Sequence, residues 1–170
     1  FSYVRVNNVA LSKNYINYSS FTRCINVIVN SHGLLNLENG RICYPSINMS
    51  QNQCPHGSAF LCYPFTDSKS FTFSLTYSSI VDNNAPRSIC FYLHSSGANY
   101  EIKSCNILRN TQIYTSFGLL WTVGNLMIDD SCILENQATT IFSQDSSSYT
   151  ITLSNCIVDK THQQKVSISH

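Results

Sequence analysis

Charge is scarce in this chain: Asp, Glu, Lys and Arg make up 11% of its 170 residues, and the net charge is +1. No cluster of Lys or Arg exists to neutralise phosphates, which excludes a nucleic-acid binder. Long hydrophobic runs are missing too. The most apolar window, Phe117 to Ile128, is interrupted by Gly118, Thr122, Gly124 and Asn125 and is too short to span a bilayer. The opening residues from Phe1 show neither the basic region nor the apolar stretch of a signal peptide. With no initiator Met, the chain reads as a fragment or processed product. The 3.6-residue period of an amphipathic helix is hard to find, and β-branched and aromatic residues dominate the apolar positions.

What is there is a repeat. Numbered from an apolar anchor at 0, it places apolar residues at −2 and 0, Ser or Cys at +3, an apolar residue at +5 and Asn at +8. Leu126, Ile128, Ser131, Ile133 and Asn136 satisfy it, as do Tyr100, Ile102, Cys105, Ile107 and Asn110, and Phe73, Leu75, Ser78, Ile80 and Asn83. Ile151, Leu153, Cys156 and Val158 make a fourth copy, with Thr161 in place of the Asn, and Ile16, Ser19, Phe21 and Cys24 a weaker fifth. The anchors Leu75, Ile102, Ile128 and Leu153 are 27, 26 and 25 residues apart, a period that marks a solenoid. Apolar residues two apart face one side of an extended strand, and the polar residues after them turn the chain. One such unit buries too little to offset the backbone entropy of ordering it, about 1–2 kcal/mol per residue; stacked units fold together.

The expected architecture is all-β: a right-handed parallel β-helix of about six coils, one domain over 1–170, with regular coils at 71–160. Second apolar runs at Leu34-Leu35, Ile89 to Leu93, Leu119 to Trp121 and Thr140 to Phe142 give each coil a further strand. Residues 40–66 hold Pro45, Pro55 and Pro64, and proline removes a ladder donor, so this segment is expected to be an irregular loop insertion. Within it Tyr44, His56, Tyr63 and Phe65 are the candidates for partner contact, being residue types suited to interfaces.

The pattern of Ile128 to Asn136 and Ile102 to Asn110 resembles the repeats of the β-helix surface-protein families of trichomonad protists. Those are similar to the polymorphic membrane proteins of chlamydiae, whose repeats carry Phe-x-x-Asn and Gly-Gly-Ala-Ile motifs. Ile80 to Asn83, Ile107 to Asn110 and Ile133 to Asn136 stand where Phe-x-x-Asn would, and Gly33 and Gly118, each followed by two leucines, half-match the second motif. The similarity covers about Phe71 to Lys160. It implies a β-helix and a cell-surface or extracellular adhesive or structural role, in a membrane-anchored precursor with host-cell or matrix glycoconjugates or proteins as partners. It carries over no catalytic, cofactor-binding or metal-binding residue.

Asn83, Asn110 and Asn136 are expected to lie above one another at a bend, as a structural ladder in which each amide bonds its neighbour and the backbone. Cys105 and Cys156 share +3 two coils apart, about 9–10 Å at the strand spacing, too far for a disulfide. Cys43, Cys54 and Cys62 with His56 lack the Cys-x2–4-Cys spacing of a zinc site, which leaves a disulfide or free thiols. The competing class is a carbohydrate-active enzyme, a polysaccharide lyase or glycoside hydrolase of pectate-lyase-like fold. Asp129-Asp130 is similar to the paired acids of polygalacturonases, and Ser31-His32-Gly33 to their histidine motif. The order of the two is reversed here, and the Asn-Thr-Asp and Arg-Ile-Lys partner motifs are missing. At +1 and +2 of the repeat, the two acids fit solvated turn residues.

Overall fold

The computed structural model describes residues 2–5, 12–24, 33–54, 58–67, 69–85, 91–112, 118–159 and 166–169. Among them are strands and turns and no helix, so no helix there is long and apolar enough to cross a membrane. The strands pair in parallel and stack as a β-solenoid. From Gly33–Glu38 the chain runs through Arg41–Pro45, bends into Asn48–Ser50, bends again past Gln53, and returns as Ser58–Tyr63 beside its starting strand. The next turn adds Phe71–Thr76, Ser79–Val81 and a bridge at Asn84. In the two turns after that, the first two strands merge into one, Phe91–Lys103 and then Leu120–Asp129, followed by Asn106–Leu108 and Thr111–Gln112, and by Cys132–Leu134 and Gln137–Ala138. These four turns are complete among the described residues. Incomplete ones flank them, so the stack has about four turns rather than the six expected.

The repeat template is the register of the stack. Tyr44 pairs with Leu75, Leu75 with Ile102, Ile102 with Ile128 and Ile128 with Leu153. A second column at −2 runs Ile42, Phe73, Tyr100, Leu126, Ile151, and a third at +5 runs Phe21, Met49, Ile80, Ile107, Ile133, Val158. The second apolar runs supply a fourth column, Leu35, Phe60, Phe91, Leu120 and Phe142. Strand alternation sends these side chains inward, and together they form one continuous buried core. The merged strands shift register between Leu93 and Ala98. There Gly124 sits so close to its neighbour that a Cβ would lie 2.3 Å from the Ala98 carbonyl oxygen, an approach only glycine permits.

The expected insertion at 40–66 is not one: its described residues form Arg41–Pro45, Asn48–Ser50 and Ser58–Tyr63, paired on both sides. Pro45 ends its strand and Pro64 follows Ser58–Tyr63, where a missing N–H removes at most a terminal donor. Pro55 lies outside the described residues.

Burial in this core pushes the Cys54 and Cys105 thiols up to about 11 and the Cys62 thiol to about 12. A folded-state value raised from 9 to about 11 corresponds to roughly 3 kcal/mol for each thiol. The folded chain then holds protons that the unfolded chain releases, so this stability is present below pH 9 and is lost as pH rises through 9 to 12. The melting temperature, measured with reductant, should hold from pH 7 to 8.5 and fall steeply by pH 11. Cys105→Ser, the residue found at +3 in adjacent turns, should fold and flatten part of that fall. A profile level to pH 11 would contradict the account.

Candidate functional site

Among the described residues two bends recur from turn to turn, and both use left-handed backbone. At +2 stand Tyr18, Ser46, Tyr77, Ser104, Asp130 and Asn155, and at +7 Arg23, Gln51, Asp82, Arg109 and Glu135, all with positive φ. Such bends leave backbone groups unpaired, and buried unpaired groups are costly, so side chains must meet them. At +3, Ser78, Cys105, Ser131 and Cys156 donate to the carbonyls of Thr76, Lys103, Asp129 and Ser154, two residues back. Cysteine is thus a weak donor where serine stands in neighbouring turns, as well as a buried apolar group.

At +8 the asparagines form a continuous buried ladder. Asn110 Nδ2 donates to Asn136 Oδ1 at 3.1 Å and to the Ile80 carbonyl at 2.8 Å, while its Oδ1 accepts from Asn83 N and Nδ2 at 3.1 and 2.9 Å. Asn136 Nδ2 reaches the Ile107 carbonyl in the same way. The ladder has a member the sequence reading missed: Asn52 bonds Asn83 Oδ1 and the Phe21 carbonyl, and its own Oδ1 accepts from Cys24 N. Its signal was present, since Ile42, Tyr44, Met49 and Asn52 fit the template everywhere except +3, where Ile47 replaces Ser or Cys. Thr161 lies outside the described residues. The Asn110 and Asn83 amides have all four bonding sites occupied within the fold, which leaves nothing to offer a ligand.

The acidic pair separates chemically. Asp129 pairs with Lys103 Nζ at 2.8 Å, and that hydrogen bond and charge hold its carboxyl below the usual carboxylate range. A general acid needs the opposite shift. Asp130 occupies the bend, φ 49°, and its Oδ1 accepts from Asn155 Nδ2. Ser31 and His32 lie outside the described residues.

Of the expected partner contacts, Tyr44 is corrected: it is fully buried, its ring 5.3 Å from Phe60 and 5.9 Å from Phe73. Alternation along Arg41–Pro45 points Ile42 and Tyr44 inward, so Tyr44 fills the anchor position of its turn. His56 lies outside the described residues. Phe65 is 38% exposed and follows the strand on which Tyr63 points outward. The three thiols diverge: Cys43 faces outward from Arg41–Pro45, Cys54 is buried just past the Gln53 bridge, and Cys62 is buried and meets the Tyr44 hydroxyl at 3.8 Å.

Tyr63 belongs to a larger aromatic patch. On the same outer face, Tyr92 and His94 alternate with inward Phe91 and Leu93, and Trp121 with inward Leu120 and Thr122. Tyr92 stacks on Trp121 at 4.4 Å and on His94 at 5.2 Å, and Tyr63 meets His94 edge-on at 5.0 Å. Trp121, only 6% exposed, braces the patch with Val123 and Tyr149. Tyr149 is tied across by a 2.9 Å bond between its hydroxyl and Ser96 Oγ. Burial raises the Tyr63 and Tyr92 hydroxyls, with the charge of Glu38 adding to the first and Tyr63 and Asp145 to the second. The outcome is a set of half-buried rings held on rigid strands between two carboxylates. Such a surface can stack on the apolar face of a sugar or side chain while the acids accept hydrogen bonds. The strand alternation from Phe91 to His94 was the signal for it. No family model, curated protein or solved structure matches this chain.

Proposed function

We propose that the chain is a non-enzymatic β-helix segment of a surface-displayed protein, an adhesin-like scaffold related to the trichomonad β-helix families its repeat resembles. Its partners are host-cell or matrix glycoconjugates. The observation that carries this reading is a division of labour among side chains. The buried polar groups at the bends are spent on one another and on the backbone, while stacked rings are presented outward on strands that neighbouring turns hold in place. A glycoside hydrolase using Asp129 as its general acid would need that carboxyl raised, and it is shifted the other way.

The test is to measure the purified chain's binding to immobilised glycoconjugates, and in parallel its release of new reducing or unsaturated ends from pectic polysaccharide. The expected result is saturable binding weakened about tenfold by Tyr92→Ala, as loss of a stacked ring implies, with no turnover. Turnover abolished by Asp129→Asn would establish the enzyme instead.

A further inference from the structure

The two most exposed large hydrophobic side chains on the described surface are Tyr18, 85% exposed, and Tyr77, 67% exposed. Both stand at the +2 bend in the left-handed region, which disfavours residues other than glycine and asparagine, with φ of 47° and 51°. They are members of one stack. The backbone N–H of Tyr18 donates to the Pro45 carbonyl, that of Ser46 to Thr76 and that of Tyr77 to Lys103, the same bond in three successive turns. The tyrosines are therefore two turns apart, about 9.6 Å at the parallel-strand spacing, and the turn between them carries serine in place of a ring.

That missing ring opens a groove. Tyr18 and Tyr77 both line it, with Ser46, Ile47, Asn48 and Ser79 among the residues between them. None of the residues lining it is charged, so a phosphate, sulfate or carboxylate would find no counter-ion there. Two strand spacings between the tyrosine backbones leave room for one ring layer between them. Hydroxyls and an amide supply both donors and acceptors for its rim. An occupant with two apolar faces and a neutral, hydroxyl-rich edge matches this, which describes a pyranose.

We infer that the groove between Tyr18 and Tyr77 is a binding site for one residue of a neutral saccharide. The inference rests on the glycoconjugate reading above for the partner class, but places recognition at the bend, away from the Tyr92 patch.

The experiment titrates the unglycosylated chain with neutral hexose and N-acetylhexosamine oligomers, and with sialylated and sulfated oligosaccharides of equal length, by calorimetry and saturation-transfer NMR. Three variants are compared: Tyr18→Ala, Tyr77→Ala and Ser46→Tyr. The last adds a ring at a position where the flanking turns already hold tyrosine, so it should fold with an unchanged melting temperature while filling the gap. The expected result is binding of a neutral oligomer that each variant weakens by at least about tenfold, the loss one stacked ring implies, and that Phe71→Ala, an exposed ring outside the groove, leaves alone. Neutral saccharide binding that survives Ser46→Tyr but is lost in Tyr92→Ala would overturn the groove and leave the glycoconjugate reading standing. Preference for the charged oligosaccharides, or binding of no saccharide at all, would overturn the groove as well, and the second would remove the glycoconjugate reading with it.

Discussion

Asn110→Leu is expected to lower the unfolding free energy by about 3–6 kcal/mol, because several buried groups lose a partner at about 1–3 kcal/mol each. Leucine keeps the branched shape of asparagine but is larger, so some overpacking strain adds to the loss of the bonds at this fully buried position. The Ile80 carbonyl loses its donor, Asn83 loses the acceptor for both its backbone N–H and its amide, and Asn136 Oδ1 keeps only the backbone N–H of residue 110. None of these groups has water to turn to, since Asn83, Asn110 and Asn136 are all buried. Asn125→Leu is the control. Asn125 also joins adjacent turns, bonding Asn99 Oδ1 and Thr150, but it is exposed and water can replace what it loses. Urea denaturation of the two variants should separate them by at least about 2 kcal/mol. Equal midpoints would mean that burial of the +8 amide contributes nothing special.

The second large effect is in the aromatic interior. Tyr44→Ala should cost about 3–5 kcal/mol, the range for truncating a buried aromatic residue, because the cavity it leaves cannot collapse between stacked turns. The ring lies between Phe60 and Phe73, Phe60 stacks on Phe91 at 5.0 Å, and Phe73 meets Tyr100 at 6.1 Å, so three successive turns share one connected cluster of rings. Tyr44→Phe keeps the ring and forfeits only a weak 3.8 Å contact with the Cys62 sulfur, so it should cost under about 1 kcal/mol. Were Tyr44 the surface contact expected of a recognition loop, Tyr44→Ala would spare stability and abolish ligand binding. The two outcomes are opposite, and a melting curve with a binding assay decides between them.

The parallel stack, its inward columns and most of the asparagine ladder were legible in the residues themselves. Every turn of a solenoid must present apolar side chains at the same inward positions, so Leu75, Ile102, Ile128 and Leu153 announce one another from a distance. The same logic extends to Asn83, Asn110 and Asn136, whose bend recurs with the strands. Legibility failed at the turn running from Arg41 to Cys54. Ile47 occupies the place of the usual Ser or Cys, and the turns on either side are 28 and 31 residues long, so that a regular turn looked like an insertion. With that turn unrecognised, Asn52 was lost from the ladder and Tyr44 was assigned to the surface.

By itself, then, the sequence determined what points inward, because burial in a stacked fold is a constraint repeated in each turn and leaves a period to read. The tertiary structure alone decided what meets on the outside. Outward residues obey no repeated constraint, and which of them become neighbours depends on the register between turns of unequal length. Tyr92 finds Trp121, and Tyr18 faces Tyr77 across Ser46, only once the backbone hydrogen bonds of successive turns have set that register.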